Sequence, residues 1–238
     1  MTLRVWHISF VATILILVDI HTAAAIMAGA LPDTPAARVD PNVPSSPWAG
    51  VGSVVVNNNN YSGVAISRHY VLTAGHVAGG SVANPVAVQF VLNMNGDASD
   101  KRTADRIDVF PTQSYPYDDI ALIHLPDPLP EGTPLYPIDD EPTALGTIYT
   151  LIGYGASGNG DIGISVGSSS TVKRKGENAI DLLPTTLDAS GRKGSFYLYD
   201  FDGPTGNGRS GGPTLGNERE TTVATGDSGS GAFVQVDG

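Results

Sequence analysis

Residues 51–66 constrain the fold more than any other stretch of this chain. Val51-Gly52-Ser53-Val54-Val55-Val56 and Tyr61-Ser62-Gly63-Val64-Ala65-Ile66 flank four asparagines. β-Branched and aromatic residues suit a pleated surface, and Asn tolerates left-handed turn geometry. The stretch predicts a β-hairpin. Similar short runs recur at residues 69–74, 86–92, 106–110 and 120–125. Strands this closely spaced, with turn signals between them, predict a barrel. Pro126-Asp127-Pro128 opens a charged, proline-bearing crossing that ends near residue 142. Further runs at 147–153, 171–174, 179–183 and 196–201 predict a second β unit. Between them, Gly153-x-Gly155 and Gly158-x-Gly160 lack dinucleotide or Walker spacing and read as turns.

Composition agrees. The 29 glycines and 17 prolines favour strands and turns over long helices, and 238 residues with 41% apolar content can bury a sizeable core. Zero cysteines exclude disulfides and thiolate metal sites. A formal net charge of −11 disfavours nucleic acid as a partner, because its phosphates would be repelled.

Residues 1–25 read as an export signal. Arg4 gives a positive start, residues 10–18 form an apolar run, and Ala23-Ala24-Ala25 offers a cleavage site. The run is too short to span a membrane and Asp19 interrupts it. A secreted protein, extracellular or periplasmic, with no membrane association after signal removal is the expectation. Residues 26–47 carry five prolines and little periodicity, which predicts an extended arm or pro-segment. Residues 48–140 and 141–238 are then the two β units.

Three motifs stand out in order. Leu72-Thr73-Ala74-Gly75-His76-Val77 places a histidine after a strand, on a single predicted helical turn. Tyr117-Asp118-Asp119-Ile120-Ala121-Leu122 places an aspartate before one. Thr225-Gly226-Asp227-Ser228-Gly229-Ser230-Gly231 holds a serine among glycines, which expose its hydroxyl and neighbouring N–H groups. Of the other histidines beyond residue 25, His69 reads as a surface residue and His124 as a strand-face residue.

From about Pro47 to the last residue the chain resembles the trypsin-like, chymotrypsin-fold serine proteases, in their cysteine-free bacterial secreted branch. Thr73-Ala74-Gly75-His76 looks like the family's Thr-Ala-Ala-His. Asp119-Ile120-Ala121-Leu122 and Gly226-Asp227-Ser228-Gly229 match its other two motifs, although Ser230-Gly231 stands where Gly-Pro is usual. The resemblance implies an all-β fold of two antiparallel barrels with a cleft between them. It implies Ser228 as nucleophile, His76 as general base and acid, and Asp119 as the carboxylate that orients it. Gly226 and Ser228 would supply the oxyanion N–H groups. Asp118 competes with Asp119, but only Asp119 fits the motif in register. Arg209-Ser210-Gly211-Gly212-Pro213 contains a rival serine without the preceding aspartate, so Ser228 is preferred over Ser210.

The resemblance places Thr222 at the base of the primary pocket, with Glu218 and Glu220 nearby in sequence. The Ser-Gly-Ser also resembles that of the glutamyl endopeptidases. A freshly cut apolar N-terminus often packs against the aspartate before the nucleophile, here Asp227. Ile26 and Val39 are both candidates, and an arm that merely wraps the surface is the alternative. Only ten residues follow Ser228, so the second barrel is expected to be incomplete.

The expected function is a serine endopeptidase acting on polypeptides with no cofactor. The alternatives are a protease-fold binding protein without turnover, an inactive fragment, or a secreted β-rich adhesive protein. Asp200-Phe201-Asp202-Gly203 begins like a calcium loop but lacks the closing glutamate of an EF-hand. It reads as a surface turn, with a family-specific ion site as the alternative, and no metal site is expected.

Overall fold

The computed structural model describes residues 5–9, 26–111, 117–139, 143–183, 185–187, 193–195, 197–202, 208 and 214–236. In chain order the first strands are β1 (Val5–Ser9), β2 (Val51–Val56), β3 (Asn59–Ala65) and β4 (Tyr70–Ala74), followed by the helical turn α1 (Gly75–Ala78). Next come β5 (Val88–Leu92), β6 (Asp100–Thr103), β7 (Arg106–Val109) and β8 (Ile120–His124). The second half has β9 (Ile148–Gly153), β10 (Ser157–Asn159), β11 (Gly163–Val166), β12 (Arg174–Ala179), β13 (Thr185–Leu187), β14 (Lys193–Ser195) and β15 (Gly231–Val236).

The hairpin that constrains the fold forms as expected. Asn57 and Asn58 adopt φ of 49° and 64°, the left-handed pair that matches the twist of β2 and β3. It lies at the centre of a seven-stranded antiparallel sheet in the order β6-β5-β2-β3-β4-β8-β7. Alternation then selects the inner face: on β8, Ala121 and Ile123 are buried while His124 faces outward. The sheet curls over a core that includes Val54, Val71, Phe90, Ile107 and Leu129.

The second sheet runs β1-β15-β9-β12, also antiparallel. Trp48, Val51 and Val64 from the first half pack with Tyr136, Ile152, Tyr154 and Phe233 to join the two sheets. The architecture is all-β and chymotrypsin-like.

Several boundaries differ from the sequence expectation. The runs expected at 171–174 and 179–183 are replaced by β12, which pairs with β9 from Arg174↔Gly153 to Ala179↔Ile148. The sequence Arg-Lys-Gly-Glu-Asn-Ala has no apolar alternation, because its inward positions Arg174 and Asn178 are polar and still buried. The glycine-rich stretch is a hairpin of β10 and β11 rather than turns alone. The charged edge strand β6 gave no signal in hydrophobicity. In the stretch expected at 196–201, the described residues 197–201 form no strand, and Leu198 makes an isolated bridge to Leu182. The first residues, read as part of the export signal, pair as β1 along β15 from Val5↔Val236 to Ser9↔Ala232.

The arm is more than a surface wrap. Bridges join Met27 to Thr222, Ala28 to Asn159 and Val39 to Arg174. Ile26 is fully buried with Tyr149, Leu151, Ile180 and Ala232.

Candidate active site

β4 ends at Ala74, and α1 immediately presents His76 with its side chain 37% exposed. Asp119 lies at the start of β8, which pairs with β4 through Ala74↔Ile120. This register sets the two motifs side by side. Asp119 Oδ1 accepts the His76 main-chain N–H at 2.7 Å, and Asp119 Oδ2 lies 2.6 Å from His76 Nδ1. A carboxylate accepts only, so Nδ1 carries a proton, and in the neutral ring Nε2 is then the acceptor. Asp119 is 4% exposed, so the carboxylate end of this pair lies out of solvent while the imidazole stays accessible. Asp118 takes φ 51° and its carbonyl accepts the Ile120 N–H, so it serves as the turn residue.

Ser228 sits on a half-buried turn immediately before β15. The turn is pinned to the first sheet by Ser62, a buried residue of β3. Its N–H donates to Ser228 O at 3.0 Å, and its Oγ donates to Gly226 O at 3.1 Å while accepting the Tyr154 N–H. The Ser62 carbonyl also accepts from Thr73 Oγ1. Gly229, at φ +83°, presses directly on the strand that leads to His76. A Cβ there would fall 2.1 Å from Thr73 Oγ1 and 3.0 Å from Ala74 N. Gly226 has φ +91°. Among the described residues, no main-chain carbonyl accepts the N–H of Gly226 or Ser228.

The structure thus joins His76 and Asp119 directly and seats the Ser228 turn against the strand that ends at His76. Ser62 was missed by sequence reasoning. It shares the hairpin with Ser53, its equally buried cross-strand partner, so the sequence did not set it apart. His69 and His124 lie elsewhere: they stack on each other at 6.0 Å, with Nδ1 atoms at Leu125 O and Asp105 Oδ1. Ser210 lies outside the described residues.

Asp227 is 3% exposed and burial pushes its carboxyl up to about 8. The N–H groups of Gly155, Ala224 and Ile26, and the charge of Arg174, oppose that rise. Of the two candidate N-termini, the structure therefore sets Ile26 at Asp227, whereas Val39 is 41% exposed. Thr222 is half-buried, and its carbonyl accepts the Met27 N–H at 2.7 Å. Glu220 is buried and accepts from Leu215 N, Thr214 Oγ1 and Asp202 N, while Glu218 is exposed. A groove lined by Arg38, Trp48, Lys175, Glu177 and Arg219 lies on the seam between arm and β12, and none of the three motif residues lines it.

The Trypsin-like peptidase domain family matches residues 61–224, a span that includes His76 and Asp119 and stops short of Ser228. No curated protein matches the chain in sequence. Among solved structures, it is similar to a scabies mite inactivated protease paralogue, S-I1, at 17% identity and a TM-score of 0.51. That match covers 80% of this chain and 79% of the mite protein, and it concerns the fold alone.

Proposed function

The chain belongs to the trypsin-like peptidase family, and from that premise we propose that it is a secreted serine endopeptidase. The observation that carries this reading is the double grip of Asp119 on His76. Ser228 Oγ attacks the carbonyl carbon of a peptide bond while His76 Nε2 takes its proton. Asp119 holds the ring in the required tautomer and stabilises the imidazolium that forms. The N–H groups of Gly226 and Ser228 receive the developing oxyanion, a contribution of several kcal/mol to lowering the barrier. His76 then returns the proton to the departing amine, and water repeats the sequence on the acyl-enzyme.

Ile26 supplies the activation step in this proposal. A cut before Ile26 converts its N–H into an ammonium beside the buried Asp227 carboxyl, which fixes the turn carrying Ser228. Export rests on Arg4, the apolar run at 10–18 and Ala23-Ala24-Ala25. Among the described residues, no helix is long and apolar enough to cross a membrane. Thr222 lies in the proposed substrate pocket.

Hydrolysis of a mixed peptide library by the purified protein, read by mass spectrometry, tests the proposal. Cleavage that disappears in Ser228→Ala supports it. A folded wild type that cuts nothing, with or without residues 1–25, contradicts it and favours a binding protein without turnover.

A further inference from the structure

The groove on the seam between the arm and β12 gathers positive charge in a chain whose formal net charge is −11. Arm, strand and turn each contribute one cation. The Lys175 N–H donates to Arg38 O at 2.8 Å, which sets Arg38 of the arm beside Lys175 of β12. Lys175 and Glu177 lie two residues apart on that strand and therefore point to one face of the sheet. Glu177 Oε2 in turn holds Arg219, accepting from Nε at 2.8 Å and from Nη2 at 2.6 Å.

Each guanidinium is held from one side. Asp33 accepts from Nε and Nη2 of Arg38, as Glu177 does from Arg219. A guanidinium carries five N–H donors, and this side-on contact leaves those on Nη1 for another acceptor. The two carboxylates thus orient the forks without using them up. Three cations, Arg38, Lys175 and Arg219, meet two carboxylates, Asp33 and Glu177, and the surplus charge sits on exposed Lys175. The lining also includes Ala37, Pro47 and Trp48, and the groove encloses about 390 Å³. Ligand pockets run from about 300 to 1,000 Å³.

We infer that this groove binds an acidic segment of a polypeptide. Lys175 and the Nη1 donors of Arg38 and Arg219 take the carboxylates of the segment, and its apolar side chains pack on Ala37 and Pro47. Most of this acidic surface repels such a segment, so the groove is where charge complementarity admits it. An inorganic anion would engage the cations alone and leave the apolar lining in water. None of His76, Asp119 and Ser228 lines the groove, so a segment bound there leaves the proposed catalytic residues open. Capture of substrates through an acidic stretch away from the scissile bond rests on the peptidase reading, whereas the binding itself does not.

Fluorescence anisotropy with a labelled peptide of alternating Glu and Leu tests this on the full chain carrying Ser228→Ala, which removes cleavage. The same peptide with Gln for Glu is the control. The Glu peptide should saturate the protein in about 20 mM salt and bind about ten-fold more weakly in about 200 mM salt, because exposed charges are screened. Lys175→Met, which keeps the stem and loses the charge, should weaken binding about five-fold, and Lys175→Glu should abolish it, both with unchanged Tm. With Ser228 intact, Lys175→Met should raise KM for a substrate bearing an acidic tail, leave kcat alone and spare the tail-less substrate. Equal affinity for the Glu and Gln peptides overturns the site. So does full binding by Lys175→Glu, or displacement of the peptide by equimolar inorganic phosphate. A chain that binds the Glu peptide yet cleaves nothing keeps the site and contradicts the peptidase reading alone.

Discussion

Asp119 holds His76 at two points, its Oδ1 taking the main-chain N–H at 2.7 Å and its Oδ2 facing Nδ1 at 2.6 Å. One carboxylate thus fixes both the backbone of α1 and the tautomer of the ring it presents. Asp119→Asn keeps the size of the side chain and can still bond the main chain, but its amide favours the wrong tautomer. The expected result is a fall in kcat of ~10⁴-fold with an unchanged circular dichroism spectrum. A loss below ten-fold would remove Asp119 from the mechanism.

Ser62 is expected to act as a positioning residue. Its Oγ joins Gly226 O, on the nucleophile turn, to the Tyr154 N–H that follows β9. Ser62→Ala releases the Gly226 carbonyl and loosens the turn that holds the Gly226 and Ser228 N–H groups. The expected loss is ~10–100-fold in kcat with little change in KM. A purely structural role would lower Tm without this split.

Asp227 links pH to stability. Its carboxyl titrates at about 8 in the fold against its usual 3.8. Between those values the folded chain keeps a proton that the unfolded chain has released. Stability from this group is therefore full below 3.8 and is lost as pH climbs through about 8. An ammonium on Ile26 lowers this pKa and removes the loss. Melting profiles from pH 4 to 8 should fall more steeply for the full chain than for a chain starting at Ile26, and Asp227→Asn should flatten the full-chain profile. Parallel profiles for both chain lengths would contradict the Ile26–Asp227 relationship.

Lys173 carries the arm. Its Nζ donates to Trp48 O at 2.7 Å and lies 3.2 Å from Asp40 Oδ2, and both side chains are almost fully buried. Burial lowers the pKa of Lys173, and the Asp40 charge counters this. Lys173→Met strands the Asp40 carboxylate and should cost about 3–5 kcal/mol in denaturant unfolding. Adding Asp40→Asn should restore part of that loss. Equal stability of the single variant and the wild type would show that the pair holds nothing.

The hairpin, the strand before His76 and the Asp119 motif were legible because each follows local rules: alternation, turn chemistry and a strand end. What escaped depends on distant partners. β12 is polar inside, with Asn178 and Arg174 buried, so no periodicity marks it. Ser62 looks like any strand serine until Gly226 and Tyr154 meet it from 164 and 92 residues away. The sequence offered both Ile26 and Val39 as partners of Asp227, and only the packing of Ile26 against Tyr149, Leu151, Ile180 and Ala232 separates them.

Labelling of the purified protein with a fluorophosphonate, compared among wild type, Ser228→Ala, His76→Ala and Ser210→Ala, tests the central claim most directly. The account predicts labelling of wild type and Ser210→Ala at Ser228, and its loss in the Ser228 and His76 variants. Labelling that survives in Ser228→Ala, or a folded wild type cut before Ile26 that takes no label, would contradict it.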